Sequence, residues 1–121
     1  MGMSQTALVT GASSGIGLEL ARYHAEKGGD LVIVARREDR LLALKSELES
    51  EHQIKVMVLP IDLSQPGAAQ QIFQATQDAQ VQVDILINNA GFGGLGKFYE
   101  GDLDWYQRMV QVNVTALMDL S

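Results

Sequence analysis

Thr10-Gly11-Ala12-Ser13-Ser14-Gly15-Ile16-Gly17 decides how this chain folds, because of what stands on either side of it. Before it, Thr6-Ala7-Leu8-Val9-Thr10 is a short apolar run that reads as a buried strand. After it, from Gly15 to Lys27, the apolar positions Ile16, Leu18, Leu20, Ala21 and Ala25 fit a helix that ends at Gly28-Gly29. A glycine-rich turn leading from strand to helix opens a βαβ unit. Gly11 permits the sharp turn off the strand, Gly15 can bring backbone N–H groups close to an anion, and Gly17 lets the helix pack tightly against a sheet. The unpaired N–H groups of the first helical turn favour negative charge at that place.

The same alternation continues outward from this turn. Leu31-Val32-Ile33-Val34-Ala35 is a second strand rich in β-branched residues. Arg37 to His52 carries Leu41, Leu42, Leu44 and Leu48 on one face and charges around the remainder, the pattern of an amphipathic helix. Val56 to Ile61 makes a third strand, and Pro60, which cannot donate to a ladder, favours a sheet edge or a strand end. Pro66 suits the first turn of a third helix running through Ile72, Phe73 and Ala79. Asp84-Ile85-Leu86-Ile87-Asn88 is a fourth strand, and a glycine-rich loop then leads to Asp102, the N-cap of a fourth helix predicted to reach the chain end. This order predicts an α/β fold with a doubly wound parallel sheet, strand order 3-2-1-4, helices on both faces, and no fifth strand within the chain.

Composition narrows the function classes. With 121 residues there is room for one domain, and residues 1–121 are read as a single domain, the N-terminal part of something longer. An apolar fraction of 46% excludes disorder as the main state. Fifteen acidic against nine basic residues leave a charge of -6, which argues against a general nucleic-acid binder. The absence of cysteine excludes disulfides, zinc-thiolate sites and cysteine nucleophiles, and fits a cytoplasmic setting. No apolar run approaches the roughly 18 residues that a membrane span needs. No metal site is read, since His24 and His52 are isolated.

The turn has the spacing G-x-x-x-G-x-G, neither the common G-x-G-x-x-G fingerprint nor a Walker loop, which needs Lys and Ser/Thr after its last Gly. Three further motifs follow in order: Asp62-Leu63 after the third strand, Asn88-Asn89-Ala90-Gly91 at the end of the fourth, and Asn113 in the expected fourth helix. Together they resemble the classical short-chain dehydrogenase/reductase family, over essentially the whole chain. The resemblance implies that Gly11, Ser13, Ser14, Gly15, Ile16 and Gly17 hold the pyrophosphate and adenosine ribose of a nicotinamide dinucleotide. It implies that Asp62 accepts from the adenine amino group while Leu63 touches the ring, and that Asn89, Ala90 and Gly91 line the cofactor near its ribose.

Cofactor choice is read at the end of the second strand, Ala35-Arg36-Arg37. An acidic group there would accept from the 2′-hydroxyl of NAD and repel a 2′-phosphate. No carboxylate stands at Ala35, and two guanidinium groups follow, so the expected cofactor is NADP(H). A bland reading, in which Arg36 and Arg37 only cap a solvated helix start beside Glu38 and Asp39, stands against it.

Catalysis in the resembled family takes a Tyr as proton donor, a Lys four residues on that lowers its pKa, a Ser that orients the carbonyl, and an Asn that holds a relay water. Asn113 matches the Asn; the Ser and the Tyr–Lys pair belong beyond Ser121. Tyr23 and Lys27 have the right separation but sit at the far end of the first helix, and Tyr99 and Tyr106 have no Lys four residues on. The expected parent activity is therefore oxidoreduction of a small-molecule carbonyl or secondary alcohol, in a homo-oligomer, with these 121 residues alone inactive. The rival readings are a non-catalytic NADP-binding regulatory or partner module, and a Rossmann-like methyltransferase, which Ala35-Arg36-Arg37 disfavours for want of an acidic residue.

Overall fold

Runs such as Leu31-Val32-Ile33-Val34 are apolar on both faces, and a strand of that kind is stable only when both sides are covered. The computed structural model describes residues 5–12, 15–62, 65, 67–88 and 110–113, and places these runs in the middle of a parallel sheet. The elements are β1 (Ala7–Thr10), α1 (Gly15–Glu26), β2 (Leu31–Val34), α2 (Glu38–His52), β3 (Val56–Leu59), α3 (Ala68–Asp78), β4 (Ile85–Asn88) and β5 (Val110–Asn113). The sheet order is β3-β2-β1-β4-β5, and every pairing is parallel.

Alternation along each strand divides the core in two. Ala7, Val9, Leu31, Ile33 and Ile87 face α1 and α2, meeting Ala21, Ala25, Leu41, Leu44 and Leu48. Leu8, Val32, Val34 and Leu86 face the other way and meet Ala69 and Ile72 of α3. Full burial of a Leu or Ile side chain is worth about 1.5–3 kcal/mol, so Leu8, Leu41 and Ile72, among the largest fully buried side chains of the described residues, contribute strongly to the stability. Small residues bring α1 close to the sheet: Gly17, Ala21 and Ala25 form its buried face, four residues apart.

Aspartates fasten the end of the sheet where the strands begin. Asp84 Oδ2 accepts from the Thr6 N–H at 2.9 Å, while Thr6 O accepts from the N–H groups of Asp84 (2.9 Å) and Ile85 (3.2 Å). Asp30 Oδ1 accepts from the Lys55 N–H at 3.0 Å, and Asp30 O accepts from the Ala7 N–H at 3.0 Å.

Three expectations are corrected. Residues 110–113 are a strand in register with β4, not part of a helix. Val110 and Val112 are β-branched, and β4, apolar along its length, would otherwise keep an open edge. The 3-2-1-4 order holds, and a fifth strand extends it. Leu42, grouped with the apolar face of α2, is 49% exposed, because Leu41, Leu44 and Leu48 alone fill that face. The third helix starts at Ala68, after Gly67 with φ 81°, two residues later than Pro66, which lies outside the described residues.

Candidate functional site

The chain leaves β1 toward β2 on one side and reaches β4 on the other, so β1 and β4 flank the point where the winding reverses. Open parallel sheets bind ligands in the crevice beyond the carboxyl ends of the strands at such a point. The register puts Val34, Thr10, Asn88 and Asn113 side by side on β2, β1, β4 and β5 at that end. With about 4.8 Å between strands, the Asn113 backbone lies about 10 Å from Thr10.

Gly11 leaves β1 with φ 66°, and Gly15 enters α1 with φ 61°, both in the left-handed region that favours glycine. The Gly11 and Ala12 N–H groups both donate to Val34 O, at 2.8 and 3.3 Å. These two amides are thus spent on β2. Gly11 shapes the turn, and the cradle for an anion begins further on, toward the start of α1. An added Cβ at Gly15 would meet none of the described residues within 4 Å, so its positive φ rather than crowding is what calls for glycine. The first turn of the 12-residue α1 holds no acidic side chain, so none of its own residues repels an anion at the positive end of the helix dipole. Ala12 is fully buried beneath the turn. Ile16 is half-buried and Gly17 is buried against the sheet, while Ser13 and Ser14 lie outside the described residues.

At the end of β2 the chain emerges through Ala35 into exposed Arg36 and Arg37. Arg37 is the N-cap residue of α2, its carbonyl accepting from the Arg40 and Leu41 N–H groups at 3.1 Å each. Its Nε lies 3.5 Å from Asp39 Oδ1, an exposed pair at the helix start. Arg36 forms no ion pair among the described residues, and stands one strand over from the Gly11 turn. After β3, the Ile61 N–H donates back to Leu59 O at 2.9 Å across Pro60, a tight reversal that delivers half-buried Asp62 to the same end of the sheet. Asp62 O accepts from the Gln65 N–H at 3.1 Å.

The fold therefore brings Gly11, Gly15, Ile16, Gly17, Arg36, Arg37, Asp62 and Asn113 to one end of the sheet. Leu63, Asn89, Ala90 and Gly91 lie outside the described residues. Tyr23 and Lys27 sit at the opposite end of α1, with Lys27 Nζ 5.2 Å from the Tyr23 ring centroid, a cation–π pair remote from the crevice. His24 Nε2 is 2.8 Å from Gln5 O, and its ring occupies the space that a side chain at Gly29 would need, so it is a packing residue. No group of metal-ligating side chains is present among the described residues. Sequence reasoning missed two contributors: the Val34 carbonyl, a backbone group without any signature, and Ala12, whose smallness was legible only as one of the motif's unspecified positions.

A family model described as short chain dehydrogenase matches residues 5–121. A short chain dehydrogenase of Pseudocercospora fijiensis is 39% identical over 114 residues, covering 93% of this chain and 37% of that protein. The chain spans less than half the length of the first curated relatives it matches. Among solved structures, an alcohol dehydrogenase of Thermococcus sibiricus complexed with 5-hydroxy-NADP has a TM-score of 0.82 at 25% identity, over 92% of this chain and 57% of that one. An L-sorbose reductase of Gluconobacter frateurii complexed with NADPH and L-sorbose has a TM-score of 0.80 at 25% identity, over 93% and 53%. With its parallel sheet, its glycine turn at the switch point and a family match over nearly its full length, the chain belongs to the short chain dehydrogenase family.

Proposed function

We propose that this chain is the nucleotide-binding, N-terminal part of an NADP(H)-dependent oxidoreductase acting on a small carbonyl or secondary alcohol, in a cytoplasmic homo-oligomer. The observation that carries the reading is the pairing of an α1 N-terminus free of acidic side chains in its first turn with exposed Arg36 at the next strand end. The α1 N-terminus and the φ-positive Gly15 fit a diphosphate, and Arg36 fits the 2′-phosphate that distinguishes NADP from NAD. Solved neighbours complexed with 5-hydroxy-NADP and NADPH support the same choice. Gly15, Ile16 and Gly17, with Ser13 and Ser14, would hold the diphosphate, and Arg36 with Arg37 the phosphoryl group. Asp62 and Leu63 would hold the adenine, Asn89, Ala90 and Gly91 the ribose side, and Asn113 a relay water.

When bound, the nicotinamide supplies hydride transfer at its C4. The residues of this chain bind and orient the dinucleotide; among the described residues, Tyr23 and Lys27 lie away from the crevice, and in the sequence Tyr99 and Tyr106 have no Lys four residues on to make the pair that gives the substrate oxygen its proton. General acid catalysis contributes about 10²–10⁴-fold, so residues 1–121 alone bind without measurable turnover. The test is titration of NADPH and NADH against the fluorescence of Trp105, the single tryptophan. Arg36→Asp is expected to weaken NADPH about 10- to 100-fold, the worth of one charge-assisted contact, with little change for NADH. Equal losses for both nucleotides would overturn the assignment.

A further inference from the structure

The edge of the sheet at β3 is treated differently from its interior. The Leu31 N–H donates to Lys55 O at 3.0 Å and the Ala35 N–H to Leu59 O at 3.4 Å, so odd-numbered residues of this stretch turn their backbone groups toward β2. In a parallel ladder the even-numbered ones, Val56, Val58 and Pro60, then face outward, where a further strand would pair. Val56 has both outward groups occupied by side chains of α2. Its N–H donates to Glu49 Oε2 at 2.9 Å, and its carbonyl accepts from Lys45 Nζ at 2.7 Å. Lys45 Nζ also donates to Glu49 Oε2 at 3.1 Å, which closes the two side chains and one peptide into a ring. Pro60 has no N–H to offer. Val58, between them, is the only outward-facing residue of β3 that keeps both groups unblocked among the described residues.

We propose that Lys45 and Glu49 form an edge plug: an ammonium and a carboxylate that occupy the carbonyl and N–H of Val56 as a neighbouring strand would, and so keep β3 from pairing with a second copy of the chain. An ordinary i, i+4 ion pair on a helix points into solvent and touches no strand. This one is spent on the backbone of the first outward-facing residue of the strand that ends the described sheet, with proline at the other end of that strand. Open strand edges are templates for association, and charged side chains and proline are the usual means of closing them. The device is independent of nucleotide binding.

Two measurements on the full chain test it. By hydrogen exchange, the Val56 amide is expected to exchange at least about tenfold more slowly than the Val58 amide; equal, fast exchange at both would overturn the plug. By light scattering, the double variant Lys45→Ala/Glu49→Ala is expected to raise the apparent mass at least about twofold over the parent, in samples whose far-ultraviolet dichroism matches it. Adding Val58→Pro, which removes the second of the two outward N–H groups and interrupts any new ladder at its middle, is expected to restore the parent mass. A folded double variant that keeps the parent mass, or association that Val58→Pro leaves unchanged, would overturn the proposal.

Discussion

Ala12 has no exposed surface and lies beneath the turn whose amides are tied to Val34, so the turn has no room for a larger side chain there. Ala12→Leu is expected to cost about 1–3 kcal/mol by overpacking, read as a lower urea midpoint with unchanged slope. The Val56 N–H, and after it Lys45, holds the Glu49 carboxyl below its ordinary pKa of 4.5, against the opposing effect of its partial burial. A lowered folded-state pKa gives stabilisation that is complete above the unfolded value and is lost as pH falls through the folded one. Glu49→Gln, which keeps an acceptor for Val56 but not the charge, is therefore expected to be less stable than the parent at about pH 7, with the gap narrowing as pH falls below 4.5 through the lowered folded-state value. A gap that stays constant across that range would remove the charge from the account. Legibility at this scale was uneven. Gly11 and Gly15 could be read because the residue type is itself the signal for a left-handed turn position. Glu49 and Lys45 were only part of a charged helix face, since nothing in their spacing says that a strand edge lies beside them.

Helix α2 shows how periodicity succeeds and where it stops. Leu41, Leu44 and Leu48 were grouped correctly with the core, and Leu42 wrongly, because four leucines crowd a stripe that three suffice to fill. Leu48→Ala is expected to cost about 2–5 kcal/mol and Leu42→Ala less than about 0.5 kcal/mol, both by urea unfolding; similar losses would contradict this placement. Between α1 and α2 the Arg22–Glu47 pair joins two half-exposed side chains, a contact worth little by itself. The strands β1 to β4 were legible within a residue or two at each end, being continuous apolar runs with clear punctuation. Residues 110–113 were not, because Val-Gln-Val-Asn has both helical company in sequence and strand-like alternation, and the edge of β4 decides between them. Asn113 accordingly reaches the carboxyl end of the sheet from a strand rather than from a helix.

Over the whole molecule, the two-faced core and the crossover from β3 to β4 follow from handedness and alternation, and both were legible without coordinates. What alternation could not give is the difference between the two ends of the sheet. At the amino end, Asp30 and Asp84 lace neighbouring strands together through side chain and main chain at once. At the carboxyl end, the described residues are joined main chain to main chain, the Val34 carbonyl gathering two amides of the glycine turn and the Leu59 carbonyl the Ala35 N–H. The strands thus resemble the ribs of a fan riveted at the handle by the two aspartates. A guest lodged between the ribs would draw them together, so slowing of amide exchange on occupancy should decline steadily from the glycine turn toward Thr6. The riveted end would sense little of whether the fan is held open or shut.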